Sequence, residues 1–203
     1  ADSIAAGEYP IDSFPVRKRE PGHDVALEGY ILMLEQYTQP YHIPYRIMVP
    51  RDVDGLLVPV AASTTHIAFS SIRLEPTWMA LGQAAATAAH LALRDRVAPR
   101  RVHVDTLQRE LLRAGQVLTF FKDIDRAAPD YAALQYLGTK GFFPGYHARA
   151  AERLAPETAR DWLAQPIAQG LPAAARDRLA RAAAAGTTRG EFCRQLYAAL
   201  SSP

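Results

Sequence analysis

The chain has 203 residues, 49% of them apolar, and carries 23 Lys and Arg against 21 Asp and Glu, a net charge of +2. That length and apolar share can bury a core in more than one lobe, while so small and diffuse a charge excess gives no electrostatic footprint for nucleic acid. No run of about 18 apolar residues exists, and a single cysteine, Cys193, excludes an internal disulfide.

Residues 1–24 are turn-rich, because Pro10, Pro15, Pro21 and Gly22 break any helix, and they leave room for one short strand near Ile4–Tyr9. Arg17, Lys18 and Arg19 are followed at once by Glu20 and read as a solvated loop. The apolar run 27–37 is read as strand and loop, Tyr45–Val49 as a short strand entered from Pro44, and Leu56–Val60 as a buried strand after the turn Asp52–Gly55. An irregular polar approach over 63–75 is expected to lead to an abrupt helix start at Pro76 and Thr77, since proline is tolerated where a helix has no use for its N–H. The helix, running to about Arg94, is rich in small residues: Ala80, Gly82, Ala84, Ala85, Ala86, Ala88 and Ala89. Two readings stay open for it. It is either a tightly packed core helix or a helix whose free N–H groups and positive end seat an electron-rich ligand edge. A further helix is expected from Val104 to about Ala114, with Asp105 as N-cap and Leu107, Leu111 and Leu112 on one face.

Composition changes at Gly115–Leu118, so the domain reading is 1–118 and 119–203. In the second part, an Ala- and Arg-rich segment spans 156–185. That segment holds Trp162 and is read as two helices separated near Gly170–Pro172. A last helix has Thr188 as N-cap and Glu191 as its capping-box partner.

Three runs carry a family resemblance: DSIAAGEYPID (Asp2–Asp12), YHIPYRIMVPRDVDGLLV (Tyr41–Val58), and LLVPVAASTTHIAFSSIRLEPTWMALGQAAATAA (Leu56–Ala89). Together, and in this order, they resemble the C-terminal flavin-contacting portion of a family of bacterial FAD-dependent oxidoreductases, some of which carry a xanthan-lyase-like label. The resemblance implies a mixed α+β or α/β fold, the C-terminal part of a two-dinucleotide-binding-type flavoprotein, followed here by a small α-helical lobe. More weakly, FKDIDRAAPDYAALQYLGTKGFFPGY (Phe121–Tyr146) and TTRGEFCRQLYAAL (Thr187–Leu200) resemble an S-layer-homology-like module, which implies a helix with apolar positions Tyr131, Leu134 and Leu137 in the first run, with the 156–185 insertion departing from its spacing.

By this resemblance FAD is the cofactor, and Pro76, Thr77, Trp78 and Met79 contact the flavin edge, mostly through backbone atoms. Arg73 adds a cation near the flavin or pairs with Glu75 or another local carboxylate. Ser71, with Ser70 beside it, suits close approach to the cofactor or is simply part of a turn. His66 is a candidate general base, or a structural hydrogen-bonder. Tyr45 and Arg46 line the substrate face, or are one buried aromatic and one surface arginine on a strand. The remaining histidines show no metal-ligand spacing, and no G-x-S-x-G elbow or P-loop competes.

Family members hold the ADP half of FAD on an N-terminal strand–GxGxxG–helix, and no GxGxxG occurs in this chain. The expectation is therefore a C-terminal portion of a longer polypeptide or a subunit, holding FAD weakly alone. Its partner would be an N-terminal FAD-binding portion or a chain carrying GxGxxG, acting on a small-molecule substrate. The alternative is a non-catalytic binding or scaffolding chain derived from a flavoprotein, and a third reading is carbohydrate attachment through the helical lobe. Localisation stays open, export included.

Overall fold

The computed structural model describes residues 2–24 and 29–201. It is a mixed α+β structure that divides into two compact units, 2–118 and 119 onward.

In the first unit the strands come early: β1 (Ser3–Gly7), β2 (Asp12–Ser13), β3 (Ile31–Leu32) and β4 (Tyr41–Pro44). They form two separate antiparallel pairs, β1 with β4 and β2 with β3. The β1–β4 register runs from Ser3 opposite Pro44 to Gly7 opposite Tyr41, with an irregularity between Ser3 and Ala5. A bulge leaves backbone groups that the ladder does not use, and side chains take them up. Gln108 donates to the Ser3 carbonyl at 2.8 Å, Gln116 donates to the Ile4 carbonyl, and Ser3 Oγ donates to the Leu118 carbonyl at 2.8 Å.

The helices of this unit are α1 (His66–Ile72), α2 (Glu75–Asp95) and α3 (Val104–Arg113). β1 packs on α2 and α3, around a core of Ile4, Ile43, Met48, Leu81, Leu107 and Leu111. The small residues of α2 divide between two faces. Ala84, Ala85, Ala88 and Ala92 are buried, whereas Ala86 is exposed and a Cβ added at Gly82 would meet nothing.

Several local expectations are corrected. Tyr45–Met48 is a 3₁₀ turn rather than a strand. Pairing with β1 runs out where the Tyr45 N–H donates to the Asp2 carbonyl at 2.8 Å. Beyond that point Tyr45 and Met48, three residues apart, are both buried, which fits a three-residue period and not alternation. Leu56–Val60 forms no strand: Leu56 and Val60 are exposed, Pro59 has no N–H to give a ladder, and the segment is tied by Val58 N–H to the Met48 carbonyl at 2.8 Å. The approach over 63–75 is not wholly irregular, because α1 lies in it, capped by Thr65 Oγ1 accepting from Ala68 N–H at 3.1 Å. α2 begins at Glu75, with Pro76 in its first turn, and α3 has His103, not Asp105, at its N-cap. Asp105 sits in the first turn instead, where its charge faces the positive end of the helix. Of the run 27–37, residues 27 and 28 lie outside the described residues; the rest contains β3 and a 3₁₀ turn at Glu35–Tyr37.

The second unit holds α4 (Tyr131–Thr139), α5 (Pro156–Ala164), α6 (Pro166–Gln169), α7 (Ala173–Ala184) and α8 (Arg189–Ser201). The insertion is thus three helices, since an extended Gln165 before Pro166 adds a break to the one at Gly170–Pro172. α4 packs on α8, and α7 on both α5 and α8, around Leu134, Tyr136, Leu137, Trp162, Phe192 and Leu196. The Asp123 carboxylate accepts from the N–H groups of Ala148 and Arg149, each at 2.8 Å, which fixes the chain ahead of α5. Cys193 is buried among these helices and burial pushes its thiol pKa well up, so it is an inert core residue.

Thr188 Oγ1 accepts from Glu191 N–H at 3.2 Å, as an N-cap should. The Glu191 carboxylate turns forward to Gln195 and Arg194, so only half of a capping box is made. Thr188→Ala is expected to cost about 1 kcal/mol of stability and Thr188→Ser far less, measured by urea unfolding followed through helical circular dichroism.

Candidate functional site

The site expected from sequence is spread over the 3₁₀ turn that follows β4, α1 and the start of α2. Gly7 lets this region close up, because a Cβ there would stand 2.7 Å from the Tyr41 hydroxyl and 2.8 Å from its ring. With glycine, the Tyr41 ring lies across β1 and its hydroxyl meets Ser71 Oγ at 2.5 Å. Ser71 Oγ in turn donates to the Tyr9 carbonyl. Burial raises the Tyr41 pKa, opposed by the Ser71 bond. Ser70 Oγ donates to the Ile67 carbonyl at 2.7 Å and accepts from Asp12 N–H at 3.3 Å, so both serines of α1 are buried helix residues that pin it to the β1–β2 segment.

Arg73 caps the C-terminus of α1 and pairs with Asp12 through contacts of 2.9 and 3.1 Å from one nitrogen. Its carboxylate is thus a distant one in sequence and not Glu75. One residue later, α2 starts from an extended Leu74 that offers no side-chain cap. Trp78 N–H reaches back to the Leu74 carbonyl at 3.0 Å, while the Trp78 indole Nε1 is buried without a partner. Thr77 is half-buried, Pro76 is exposed, and the Met79 side chain is 75% exposed. A helix start without a side-chain cap leaves first-turn N–H groups without an intrahelical partner; Pro76 has none to offer and that of Trp78 is bonded to Leu74, which leaves those of Glu75 and Thr77.

The three catalytic candidates are not gathered at one point. His66 opens α1, and its Nε2 lies 2.7 Å from the Phe14 carbonyl. A carbonyl only accepts, so Nε2 carries the proton and Nδ1 holds the lone pair of the neutral ring. Tyr45 and Arg46 line a different depression of about 640 Å³, together with Asp2, Arg51 and Arg100. The Tyr45 hydroxyl donates to the Pro99 carbonyl at 2.8 Å, and burial pushes its pKa up to about 12. Arg46 is clamped by Asp2 through contacts of 2.9 and 2.6 Å.

The Arg46 hydrogen bond holds the Asp2 carboxyl below its ordinary value of 3.8, against the opposing effect of partial burial. A folded-state pKa below the unfolded one contributes stability that is present above the unfolded value and lost as pH falls through the folded value. The Asp2 carboxyl carbon is therefore expected to titrate below the ordinary value in NMR. As it does so, the Tyr45 amide, bonded to the Asp2 carbonyl, should exchange faster with solvent, and Arg46→Ala should return the midpoint toward the ordinary value.

A second cavity, of about 610 Å³, lies on the other side of Ile47 and Ser63; Tyr9, Tyr37, Tyr41, Thr64, Ala68 and Ser71 contribute to its wall. Only Ser71 among its lining residues was singled out in the sequence. Tyr41 and Thr64 lie within runs that carry the family resemblance, but no spacing marks either as part of a site.

In the second unit, Arg189 borders a cavity of about 530 Å³ with Tyr146, His147, Asp161 and Trp162. Its guanidinium lies 4.9 Å from the Trp162 ring centre and 5.6 Å from that of Phe143, and its Nε donates to the Ala148 carbonyl at 2.9 Å. Burial lowers its pKa, and the aromatic faces offset part of that cost.

An FAD dependent oxidoreductase family model matches residues 1–111, more than half of the chain. The chain belongs to the FAD dependent oxidoreductase family, whose cofactor is FAD. No curated protein and no solved structure matches it. No helix among the described residues is long and apolar enough to cross a membrane, and no group of three or more His, Cys, Asp or Glu among them is placed to hold a metal ion.

The residues present fit one side of this cofactor. The uncapped start of α2 and the unpartnered Trp78 indole are donors suited to an electron-rich ring edge. For the pyrophosphate the sequence has no GxGxxG, and its glycines stand singly.

Proposed function

We propose that residues 1–118 supply the isoalloxazine-facing and substrate-facing side of an FAD-dependent oxidoreductase. The ADP half of the cofactor is then held by a strand–GxGxxG–helix on another segment or chain, as in the members labelled xanthan-lyase-like. The observation that carries this reading is the helix start at Leu74–Met79: no side-chain cap, a buried indole N–H with no partner, and a flanking Arg73. When bound, the isoalloxazine supplies the two-electron redox chemistry.

The roles of this chain's residues follow from what each can offer. The first-turn N–H groups of Glu75 and Thr77, beside Pro76 and with the Trp78 indole, present donors and a positive helix end to the ring edge that gains charge on reduction. Arg73 adds a cation whose position Asp12 fixes, and Met79 gives an apolar wall. Ser71 keeps α1 close enough for that approach. His66 offers Nδ1 as the proton acceptor, its ring oriented by the Phe14 carbonyl. Tyr45 and Arg46 shape the neighbouring depression, where Asp2 already balances the Arg46 charge. Residues 119–203 are a helical lobe appended to this redox portion, of S-layer-homology-like type.

The test is co-expression with the GxGxxG-bearing portion and measurement of the flavin absorbance retained by the purified complex. Retained flavin that falls several-fold in Trp78→Phe and Arg73→Ala supports the assignment. A folded complex that stays colourless with added FAD overturns it in favour of a non-catalytic binding chain.

A further inference from the structure

β3 sits inside an apolar run that the described residues leave uncovered. Tyr30, Ile31, Leu32, Met33 and Leu34 follow one another without a charge or a proline, and each is at least 41% exposed. Successive residues of a strand point to opposite faces, so exposure of Ile31 and Leu32 together leaves both faces of β3 open. Phe14, exposed just after β2, meets Tyr30 edge-on with ring centroids 5.5 Å apart and widens the same surface. An exposed apolar run of this length is a liability unless something covers it.

Hydrogen bonding gives this ribbon a direction. Met33 N–H donates to the Ile11 carbonyl at 2.8 Å, and Asp12 stands opposite Leu32. Antiparallel pairs alternate between bonded and non-bonded. With Met33 and Ile11 bonded, Asp12 and Leu32 turn their N–H and C=O groups outward, away from each other. On the β2 side that edge is closed by α1, because Asp12 N–H donates to Ser70 Oγ at 3.3 Å. On the β3 side no strand among the described residues lies beyond Leu32. The sheet can therefore grow only at β3.

The ribbon is also tied to the helix start at Leu74–Met79. Asp12 holds Arg73 through contacts of 2.9 and 3.1 Å, and the Phe14 carbonyl holds His66 Nε2 at 2.7 Å. A part that grips the ADP half of the cofactor must come within one cofactor length of that helix start, and this apolar ribbon is bonded beside it.

We propose that the outer edge of β3 docks the GxGxxG-bearing portion, which adds an extended strand along Leu32 and covers Tyr30–Leu34. The naming of that occupant rests on the flavin reading above. Backbone bonds along such an edge give affinity, and alternate side chains give register. A second copy of this chain is the poorer occupant: β3 against β3 would join two half-sites that lack the same pyrophosphate-holding part.

The test compares variants of the full chain co-expressed with a tagged GxGxxG-bearing portion. Leu32→Pro removes the outward N–H and spares the bond from Met33 to Ile11. Leu32→Lys keeps the backbone and places a charge on the edge, a substitution that blocks strand addition. Both should lower the share of the chain that co-purifies, Leu32→Pro by at least about tenfold. Val53→Lys, at another exposed apolar residue off the ribbon, should leave it unchanged. In the parent complex, amide exchange over residues 29–37 should slow at least about tenfold relative to the chain alone. Circular dichroism checks folding, and if Leu32→Pro does not fold, Leu32→Lys and the exchange rates decide. Absence of a complex, a complex that neither Leu32 variant weakens, unprotected amides over 29–37, or equal loss in Val53→Lys overturns the proposal. So does a dimer of the chain alone that Leu32→Lys dissociates in sedimentation, since the occupant is then a second copy. Flavin is read separately. A colourless complex that depends on Leu32 keeps the docking and removes the redox reading, whereas a yellow complex indifferent to Leu32 does the reverse.

Discussion

Trp162→Ala is expected to destabilise the unit beginning at residue 119 by about 3–5 kcal/mol, the range for truncating a buried large aromatic. Trp162 is 3% exposed and stands between rings on three sides, with centroids 5.7 Å from Phe142, 5.4 Å from Phe143 and 5.9 Å from Phe192. Its indole N–H also satisfies the Phe142 carbonyl at 3.0 Å, and the Arg189 guanidinium lies 4.9 Å from its ring centre. Truncation therefore opens a cavity, orphans a buried carbonyl and removes the face that offsets the desolvation of a cation. Trp162→Phe keeps a ring and loses mainly the N–H, so it should cost about 1–3 kcal/mol. Hydrogen exchange read by mass spectrometry checks both: peptides from α4, α5 and α8 should exchange faster in the alanine variant, with the phenylalanine variant between it and the parent.

Leu81→Ala is expected to cost about 2–5 kcal/mol in the first unit. The side chain is fully buried on α2, and its neighbours one turn on, Ala84 and Ala85, are too small to swing into the space it would vacate. A site that cannot collapse lies toward the upper end of that range. Leu93, on the same helix but 80% exposed, is the control; Leu93→Ala should change stability by no more than about 0.5 kcal/mol. Urea unfolding midpoints for the two variants give the comparison, and equal shifts would contradict the division of α2 into a packed and an open face.

How far the chain was legible depends on how local each signal is. α2 could be read because a first-turn proline and a long run of good helix formers are sequence-local. Tyr131, Leu134 and Leu137 spaced along α4, and Thr188 before α8, were local in the same way. α1 was missed because His66–Ile72 is short and carries two serines, a composition equally suited to a loop. Leu56–Val60 misled because an apolar run signals burial, and here its end residues are exposed with no strand beside them. The site was legible as a list of residues and not as an arrangement. Arg73 finds Asp12, 61 positions away, and no spacing rule links the two. Tyr45 and Arg46 face a different hollow from Ser71 because a 3₁₀ turn, and not an alternating strand, carries them. The cavity beside Thr64 draws its wall from stretches around residues 9, 40 and 65, which belong to or border the runs that carry the resemblance but show no spacing that brings them to one wall.

The isolation of Cys193 has a practical consequence. With its single native thiol buried and protonated, the chain has no reactive sulfur of its own, so a cysteine introduced at an exposed position becomes a unique attachment point for a dye or spin label. The two tryptophans, Trp78 and Trp162, fall one in each compact unit. Replacing one leaves the other as the sole indole emitter, and each unit can be followed by its own fluorescence.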